Sequence, residues 1–352
     1  MPSSSPKSTA VDAELRRLDV LLASAGLVRT PRGQAAARRA GLNLLRTPAE
    51  ALHRPAPEPV VAANGVHWLA VPGWEKYRWL RAGFSTRKGG QSRAYTEGDA
   101  PGELNLGFTA EDPREVVLAN RRLLAEAIAG SADLPLISLK QIHSGLVRRA
   151  TAADAARALP LRADGHFTAE PGLLLAVQTA DCIPILVADR KKKIISTFHA
   201  GWRGTVKRIV ELGVGRLRME CGSRPEDLIA AIGPGAGPCC YAVGKEVIQE
   251  FTSQFAYAAE LFHEVDNASP VRAQSPTFLN QRPPGHAPTG SLIHLDLIEA
   301  NRRQLLDAGL KPRAVQIVGG CTNCRQDLFF SHRGSGGKAG RMMAVIGVVA
   351  EP

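Results

Sequence analysis

Three residues of this 352-residue sequence have the types and the settings for metal chemistry: His143, Cys182 and His199. Each sits at the edge of an apolar run that reads as a buried strand. His143 follows 136–142, Cys182 falls in the break between 173–179 and 183–188, and His199 closes 194–199 just before Gly201-Trp-Arg-Gly204. Two imidazoles and a thiolate form a three-ligand set, the pattern that leaves the fourth position of zinc for water or substrate and so marks a catalytic site. The ligands lie 39 and 17 residues apart, far beyond finger-like local spacing, so only a tertiary fold can bring them together. The same residues admit a metal-free alternative, with Cys182 as nucleophile and His199 as its base.

The elements needed to position these residues are legible as alternating strands and helices. Further strands are expected at 228–232, 314–318 and 343–349. Helices are expected at 113–129, where Val116, Val117, Leu123, Leu124 and Ile128 recur at helical spacing, at 205–217, and at 296–308. The last opens with Asp296 and Glu299, a capping-box pair, and closes at Gly309. The five residues 189–193 are too short for a parallel crossover, so 183–188 and 194–199 should form a hairpin. The chain therefore reads as mixed α and β rather than simply doubly wound.

Composition sets the boundaries. The sequence is 44% hydrophobic and 22% charged, with 34 Gly and 24 Pro, which excludes collagen-like, coiled-coil and wholly disordered classes. Its longest apolar runs fall far short of the roughly 20 residues needed to cross a bilayer, so no membrane role and a cytoplasmic location are expected. Six cysteines in a chain of this length without a secretion signal read as thiols or ligands, not as a disulfide framework. Cys321-Thr-Asn-Cys324 lacks a second pair at zinc-ribbon spacing and reads as a structural thiol pair or an oxidisable one.

The net charge of +11 is concentrated towards the N-terminus, where residues 1–54 hold nine Lys/Arg and four Asp/Glu. The rest of the chain suits a phosphate-bearing small substrate without calling for nucleic acid. Residues 11–27 and 34–52 read as short helices, and Pro55-Ala-Pro-Glu-Pro59 as a linker. The expected organisation is a basic helical extension over 1–59 and a catalytic domain over 60–352. The extension could dock or target the protein without taking part in catalysis.

Ordered motifs add a resemblance spanning about residues 66–350. Phe84-Ser-Thr-Arg87-Lys-Gly-Gly90, Asn105-Leu-Gly107, Asn120-Arg121, Gln141-Ile-His143-Ser144, Thr179-Ala-Asp-Cys182-Ile-Pro184, His199-Ala-Gly-Trp-Arg-Gly-Thr205, Pro238-Cys-Cys-Tyr241 and Phe329-Phe-Ser-His-Arg333 resemble the polyphenol oxidase (laccase-domain) family, also called the purine nucleoside phosphorylase or peptidoglycan editing factor family. The resemblance implies an α+β fold, a four-layer α/β/β/α sandwich of mixed sheets, here carrying the N-terminal helical appendage. It implies zinc, or copper in older descriptions, held by His143, Cys182 and His199. The implied reaction is phosphorolysis of adenosine, inosine, guanosine or 5′-methylthioadenosine, with adenosine deamination as a second activity. Arg87, Arg121 and Arg203 are the candidate substrate-binding residues, the first two favoured for phosphate, and Asp181 is the candidate proton carrier. His332 stands where the family commonly has Tyr, and Ala339 where it has Thr. Peptidoglycan-precursor editing through Cys182 and His199 and copper-based phenol oxidation are the alternatives. The second suits the sequence poorly, because a laccase needs many histidine ligands.

Overall fold

The computed structural model describes residues 44, 47–96, 98, 100–157, 159–265 and 292–349. Two compact units emerge, one containing Met1–Leu52 and Pro238–Asp296 and the other His53–Gly237 and Leu297–Pro352. The expected helix at 11–27 lies outside the described residues. Of 34–52, only Leu44 and 47–52 are described, and these end in the single 3-10 turn Ala49–Leu52. The proline run 55–59 forms neither helix nor strand, as ring-fixed φ angles and missing N–H donors require.

Fifteen strands are described. They are β1 (Val60–Val61), β2 (His67–Ala70), β3 (Leu80–Ser85), β4 (Lys88–Ser92), β5 (Leu136–Ser138), β6 (Val147–Arg149), β7 (Gly165–Thr168), β8 (Leu173–Thr179), β9 (Ile183–Asp189), β10 (Ile194–Ala200), β11 (Leu228–Ile232), β12 (Phe262–Val265), β13 (Leu292–Leu295), β14 (Val315–Ile317) and β15 (Met342–Val348). In the smaller unit β12 and β13 pair antiparallel, and the helix Lys245–Gln254 carries Phe251, which meets Phe255 and Phe262 with ring centroids 5.5 and 6.0 Å apart.

The larger unit is built on two six-stranded mixed sheets, ordered β1-β2-β3-β15-β8-β5 and β14-β11-β9-β10-β7-β6. Side-chain alternation explains how they stack. On β8, Leu173, Leu175 and Val177 enter the core shared by the sheets, as do Met342, Ala344 and Ile346 of β15 and Leu186 and Ile195 of the second sheet. The intervening Leu174, Ala176, Met343 and Val345 point the other way and pack against Leu124, Ala125 and Ile128 of the helix Arg114–Ala129. Strands apolar on both faces must be covered on both faces. The helices Ile209–Cys221 and Leu297–Asp307 cover the outer side of the second sheet. The result is the expected α/β/β/α layering.

The hairpin expectation holds, since β9 and β10 pair antiparallel from Ile194 opposite Asp189 to Ala200 opposite Ile183. The single helix expected at 205–217 is instead two, Trp202–Val206 and Ile209–Cys221, separated by Arg208 at φ 57°. The break has a chemical cause. The Thr205 carbonyl accepts from Gln304 Nε2 at 2.7 Å and from the Arg208 N–H, so it is unavailable to the Ile209 N–H that an unbroken helix would present. Such a capture of the ladder by a side chain distant in sequence leaves no apolar periodicity to read.

Glycines in the helix Ile209–Cys221 give this packing a test. A Cβ on Gly213 would land on the Phe198 ring, whereas one on Gly215 meets open space. Gly213→Ala should lower the melting temperature, costing about 1–3 kcal/mol through overpacking. Gly215→Ala should raise it, by about 0.5–1 kcal/mol. Thermal unfolding of the two variants reads the opposite signs directly, and a stabilised Gly213→Ala would contradict the described helix-to-sheet contact.

Candidate metal centre

The site forms where the chain crosses from one sheet to the other. β8 belongs to the first sheet and β9 to the second, and Ala180-Asp181-Cys182 joins them. The crossing is tight enough to hold Asp181 at φ 98°, an uncommon conformation for a residue with a side chain. Cys182 thus emerges beside the end of β10, where His199 pairs with Pro184. His143 arrives from a loop. The strand expected over 136–142 stops at Ser138, and His143 turns the chain at φ 54°. The ligand atoms of His143, Cys182 and His199 all lie within 4.8 Å of one another, and the two imidazoles meet edge to face at 5.0 Å. Gly201 completes the cradle, since a Cβ there would come 2.9 Å from Cys182 Sγ and 3.4 Å from His143 Cδ2.

One carboxylate organises this arrangement. Asp164, immediately before β7, accepts the backbone N–H groups of Ile142, His143 and Ser144 at 2.6–3.2 Å and the Ser144 hydroxyl at 2.7 Å. Its Oδ1 also takes Nδ1 of His199 at 3.0 Å, while its backbone carbonyl accepts the His199 N–H at 2.7 Å. Burial alone would raise the Asp164 carboxyl, but the hydrogen bonds from His199 and Ser144 outweigh it and hold the group at about 2. With Nδ1 committed to Asp164, Nε2 is the His199 nitrogen left to ligate, the usual consequence of a carboxylate behind a metal-binding imidazole.

Cys182 and His199 share a proton in a manner that also favours a metal. Burial works against charge on both, yet the neighbouring His199 charge and hydrogen bonds from both imidazoles lower the thiol to about 6. Cys182 and Asp164 together raise the His199 imidazole despite its burial. This coupling favours the thiolate–imidazolium form of the pair, and it moves the sulfur towards the deprotonated form in which it ligates a metal. The borderline-soft donor set of two nitrogens and one sulfur fits zinc.

A cavity of about 420 Å³ opens onto the three ligands. Its remaining polar lining comes from Lys140, Gln141, Gln178, Thr179, His332 and Arg341, with no Asp or Glu among them. Gln141 is spent on structure, donating to the Gln178 carbonyl at 2.8 Å and accepting the Gln178 N–H at 2.7 Å.

The other sequence candidates lie elsewhere. Arg87 lines a different cavity, its guanidinium tied to Glu103 at 2.6 Å and to the Gln326 carbonyl at 2.7 Å. Arg121 donates to the Leu106 carbonyl and to Ser138 Oγ, and stacks 4.3 Å from the Phe108 ring centroid. Burial, with the nearby Arg114 charge, lowers its pKa to about 10. Arg203 is exposed and stacks on Trp202. Asp181 is fully occupied, accepting the hydroxyls of Thr322 and Ser331 at 2.6 and 2.7 Å and the Arg333 N–H at 2.7 Å. The structure therefore brings together His143, Cys182 and His199, but none of these arginines and not the Asp181 carboxylate. Sequence reasoning passed over Asp164, Gln178 and Arg341. Nothing local in the sequence distinguishes Arg341 from the other arginines.

Comparison with known proteins bears on this geometry. A family described as multi-copper polyphenol oxidoreductase laccase matches residues 81–349. The purine nucleoside phosphorylase YlmD of Geobacillus stearothermophilus is 36% identical over 291 residues, covering 80% of this chain and 94% of the relative. A purine nucleoside phosphorylase of Deinococcus radiodurans is 36% identical over 265 residues, covering 75% and 88%. The crystal structure of a Bacillus licheniformis protein, YfiH, superposes with a TM-score of 0.67 at 29% identity, covering 82% of this chain and 97% of that one.

Asp164→Asn tests the role of the organising carboxylate, because its amide would set a donor against the Ser144 or His143 N–H. Zinc affinity, measured by chelator competition, should fall about 10- to 100-fold. The depressed Asp164 pKa adds a pH signature. Its contribution to stability is intact above the ordinary carboxyl value near 4 and is lost as pH falls towards 2, so the variant's stability should vary less across that window. Unchanged zinc affinity would contradict the assignment.

Proposed function

The chain belongs to the multi-copper polyphenol oxidoreductase laccase family, and from that premise we propose that it is a zinc-dependent purine nucleoside phosphorylase. Its substrates on this reading are adenosine, inosine, guanosine and 5′-methylthioadenosine, and its products are the free base and ribose 1-phosphate. The single observation that carries the reading is a cavity of about 420 Å³ that reaches His143, Cys182 and His199 while exposing cationic and amide side chains and, among the described residues, no carboxylate. That volume lies within the range of small-molecule sites, roughly 300–1,000 Å³. The relatives' names support the phosphorylase part of this reading.

In phosphorolysis an oxygen of phosphate bonds to C1′ as the C1′–N bond breaks, and the electron pair leaves with the purine. The proton lost by hydrogen phosphate ends on the base, so charge and atoms balance. Positive charge builds on the sugar and negative charge on the departing base. Zinc, when held by His143, Cys182 and His199, supplies an electrophile to an electron-rich atom of the substrate. The chain's own residues do the rest. Lys140 and Arg341 attract the anionic nucleophile, the Gln178 amide offers both a donor and an acceptor to a purine edge, and Asp164 keeps the ligand loop from reorganising during turnover. Asp181 is assigned a positioning role, because its three hydrogen bonds fix the crossing that presents Cys182.

Adenosine deamination, the second activity implied by the resemblance, calls for a carboxylate to move a proton beside the base. None lines this cavity among the described residues, so phosphorolysis is the better supported of the two. Copper-based phenol oxidation is disfavoured on ligand number, since the cluster of His143, Cys182 and His199 is the one that joins histidines among the described residues. A metal-free cysteine hydrolase has the Cys182 thiolate beside His199 in its favour, and metal content separates it from the leading reading.

The test is to incubate the purified protein with adenosine, inosine and 5′-methylthioadenosine, with and without phosphate, and to identify the products chromatographically. Free base should appear only with phosphate. Cys182→Ser should lose zinc and slow base release by at least about 100-fold, the scale on which removing transition-state electrostatic support acts. Full activity in zinc-free protein would favour the thiol mechanism, and no base release from any of the three nucleosides would overturn the reading.

A further inference from the structure

The geometry points to Arg341 as the residue that holds inorganic phosphate in the metal cavity, through the Nε–Nη2 edge of its guanidinium. This inference rests on the phosphorolytic reading and names the site of the second substrate.

Arg341 is the cavity-lining arginine, and its donors are already divided. Nη1 donates to the carbonyls of Ala339 at 2.5 Å and Gly340 at 3.1 Å. No ion pair with a carboxylate and no hydrogen bond from Nε or Nη2 is found among the described residues. That edge, two parallel N–H groups side by side, is the fork that matches two oxygens of a phosphate. Arg87 makes the contrast clear, because its Nε and Nη2 both already face Glu103. With Nη1 anchored to backbone, the Arg341 fork is held in place before the anion arrives, which reduces the ordering cost of binding.

The surrounding chain is built to keep Arg341 there. Its backbone N–H donates to Asn105 Oδ1 at 2.8 Å, and its carbonyl accepts the Leu106 N–H at 2.9 Å. Asn105 is itself fixed, with Nδ2 donating to the Gly107 carbonyl and to Asp112, and its carbonyl accepting from Asn120 Nδ2. Asn105, Asp112 and Asn120 are all buried, so this network holds the Arg341 backbone away from solvent. Gly107 supplies the space. A Cβ there would lie 2.5 Å from Arg341 Cγ, 2.8 Å from its Cβ and 3.0 Å from Gln178 Oε1. A methyl group at position 107 therefore has to displace the arginine stem. Buried asparagines and a glycine that together anchor one half-buried arginine, on a cavity where no carboxylate is found among the described residues, are the features of an anion site. Lys140 and His332 add cationic or titratable neighbours on the same lining without entering this frame.

The experiment follows inorganic phosphate in two ways on the full-length, zinc-replete protein. Steady-state phosphorolysis yields KM for phosphate and for nucleoside separately, and 31P line broadening of inorganic phosphate reads binding without turnover. Arg341→Gln should raise KM for phosphate by about tenfold or more with nucleoside KM within about twofold, and should abolish the 31P broadening. Arg341→Lys, which keeps the charge but loses the fork, should fall between the two. Gly107→Ala should reproduce the phosphate-selective defect with zinc content unchanged, a split that loss of folding would not produce. Wild-type turnover with unaltered phosphate KM and unaltered 31P broadening in Arg341→Gln would overturn the assignment. Arg341-dependent broadening in a wild-type protein that releases no base would instead uphold the anion site and overturn the phosphorolytic reading.

Discussion

The hydrogen bonds converging on Asp164 are the constraint on which the centre depends. A buried carboxylate is costly unless its lone pairs are met, and here they are met by three successive backbone N–H groups, a hydroxyl and an imidazole. Those partners lie in the chain segment that carries His143 and on the strand that carries His199. Satisfying the charge and assembling two ligands are therefore the same event. The third ligand needs no such tie, because the chain must cross between the sheets at Ala180-Asp181-Cys182, and Asp181 is itself pinned there by Thr322, Ser331 and the Arg333 backbone.

This division of labour gives the two buried aspartates distinct tasks. Neither is left free to move protons in the cavity, and both serve to hold chain segments whose backbone conformations are uncommon, His143 at φ 54° and Asp181 at φ 98°. Backbone in sparsely populated regions persists only where the surroundings over-determine it. Beside the imidazoles and the sulfur, the described lining offers amide and cationic groups, a composition that favours anionic and electron-rich ligands.

Much of the frame was legible in the sequence because apolar runs on sheets covered on both faces have few alternatives. The runs at 173–179, 183–188, 194–199 and 228–232 matched observed strands to within a residue at either end, and the short connection at 189–193 correctly required a hairpin. The candidate ligands were legible too, since His and Cys at strand ends are conspicuous, and the fold brings their side chains together. What the sequence did not disclose depends on contacts between distant residues. Asp164 looks like any acid before a strand, and its importance comes from partners about 20 and 35 positions away. Arg87, Arg121 and Arg341 are equivalent as letters, and only the fold shows which guanidinium faces the cavity with donors to spare. The interruption at Arg208 was equally hidden, because it follows from Gln304 taking a carbonyl about a hundred residues away.

The central claim is that His143, Cys182 and His199 hold one zinc ion between them. Anomalous diffraction at the zinc edge from crystals of the purified protein tests it most directly. The account predicts a peak about 2.0–2.1 Å from one nitrogen of each imidazole and about 2.3 Å from the sulfur. Zinc-replete crystals with no peak there, and with the thiolate and imidazoles bonded only to one another, would contradict it.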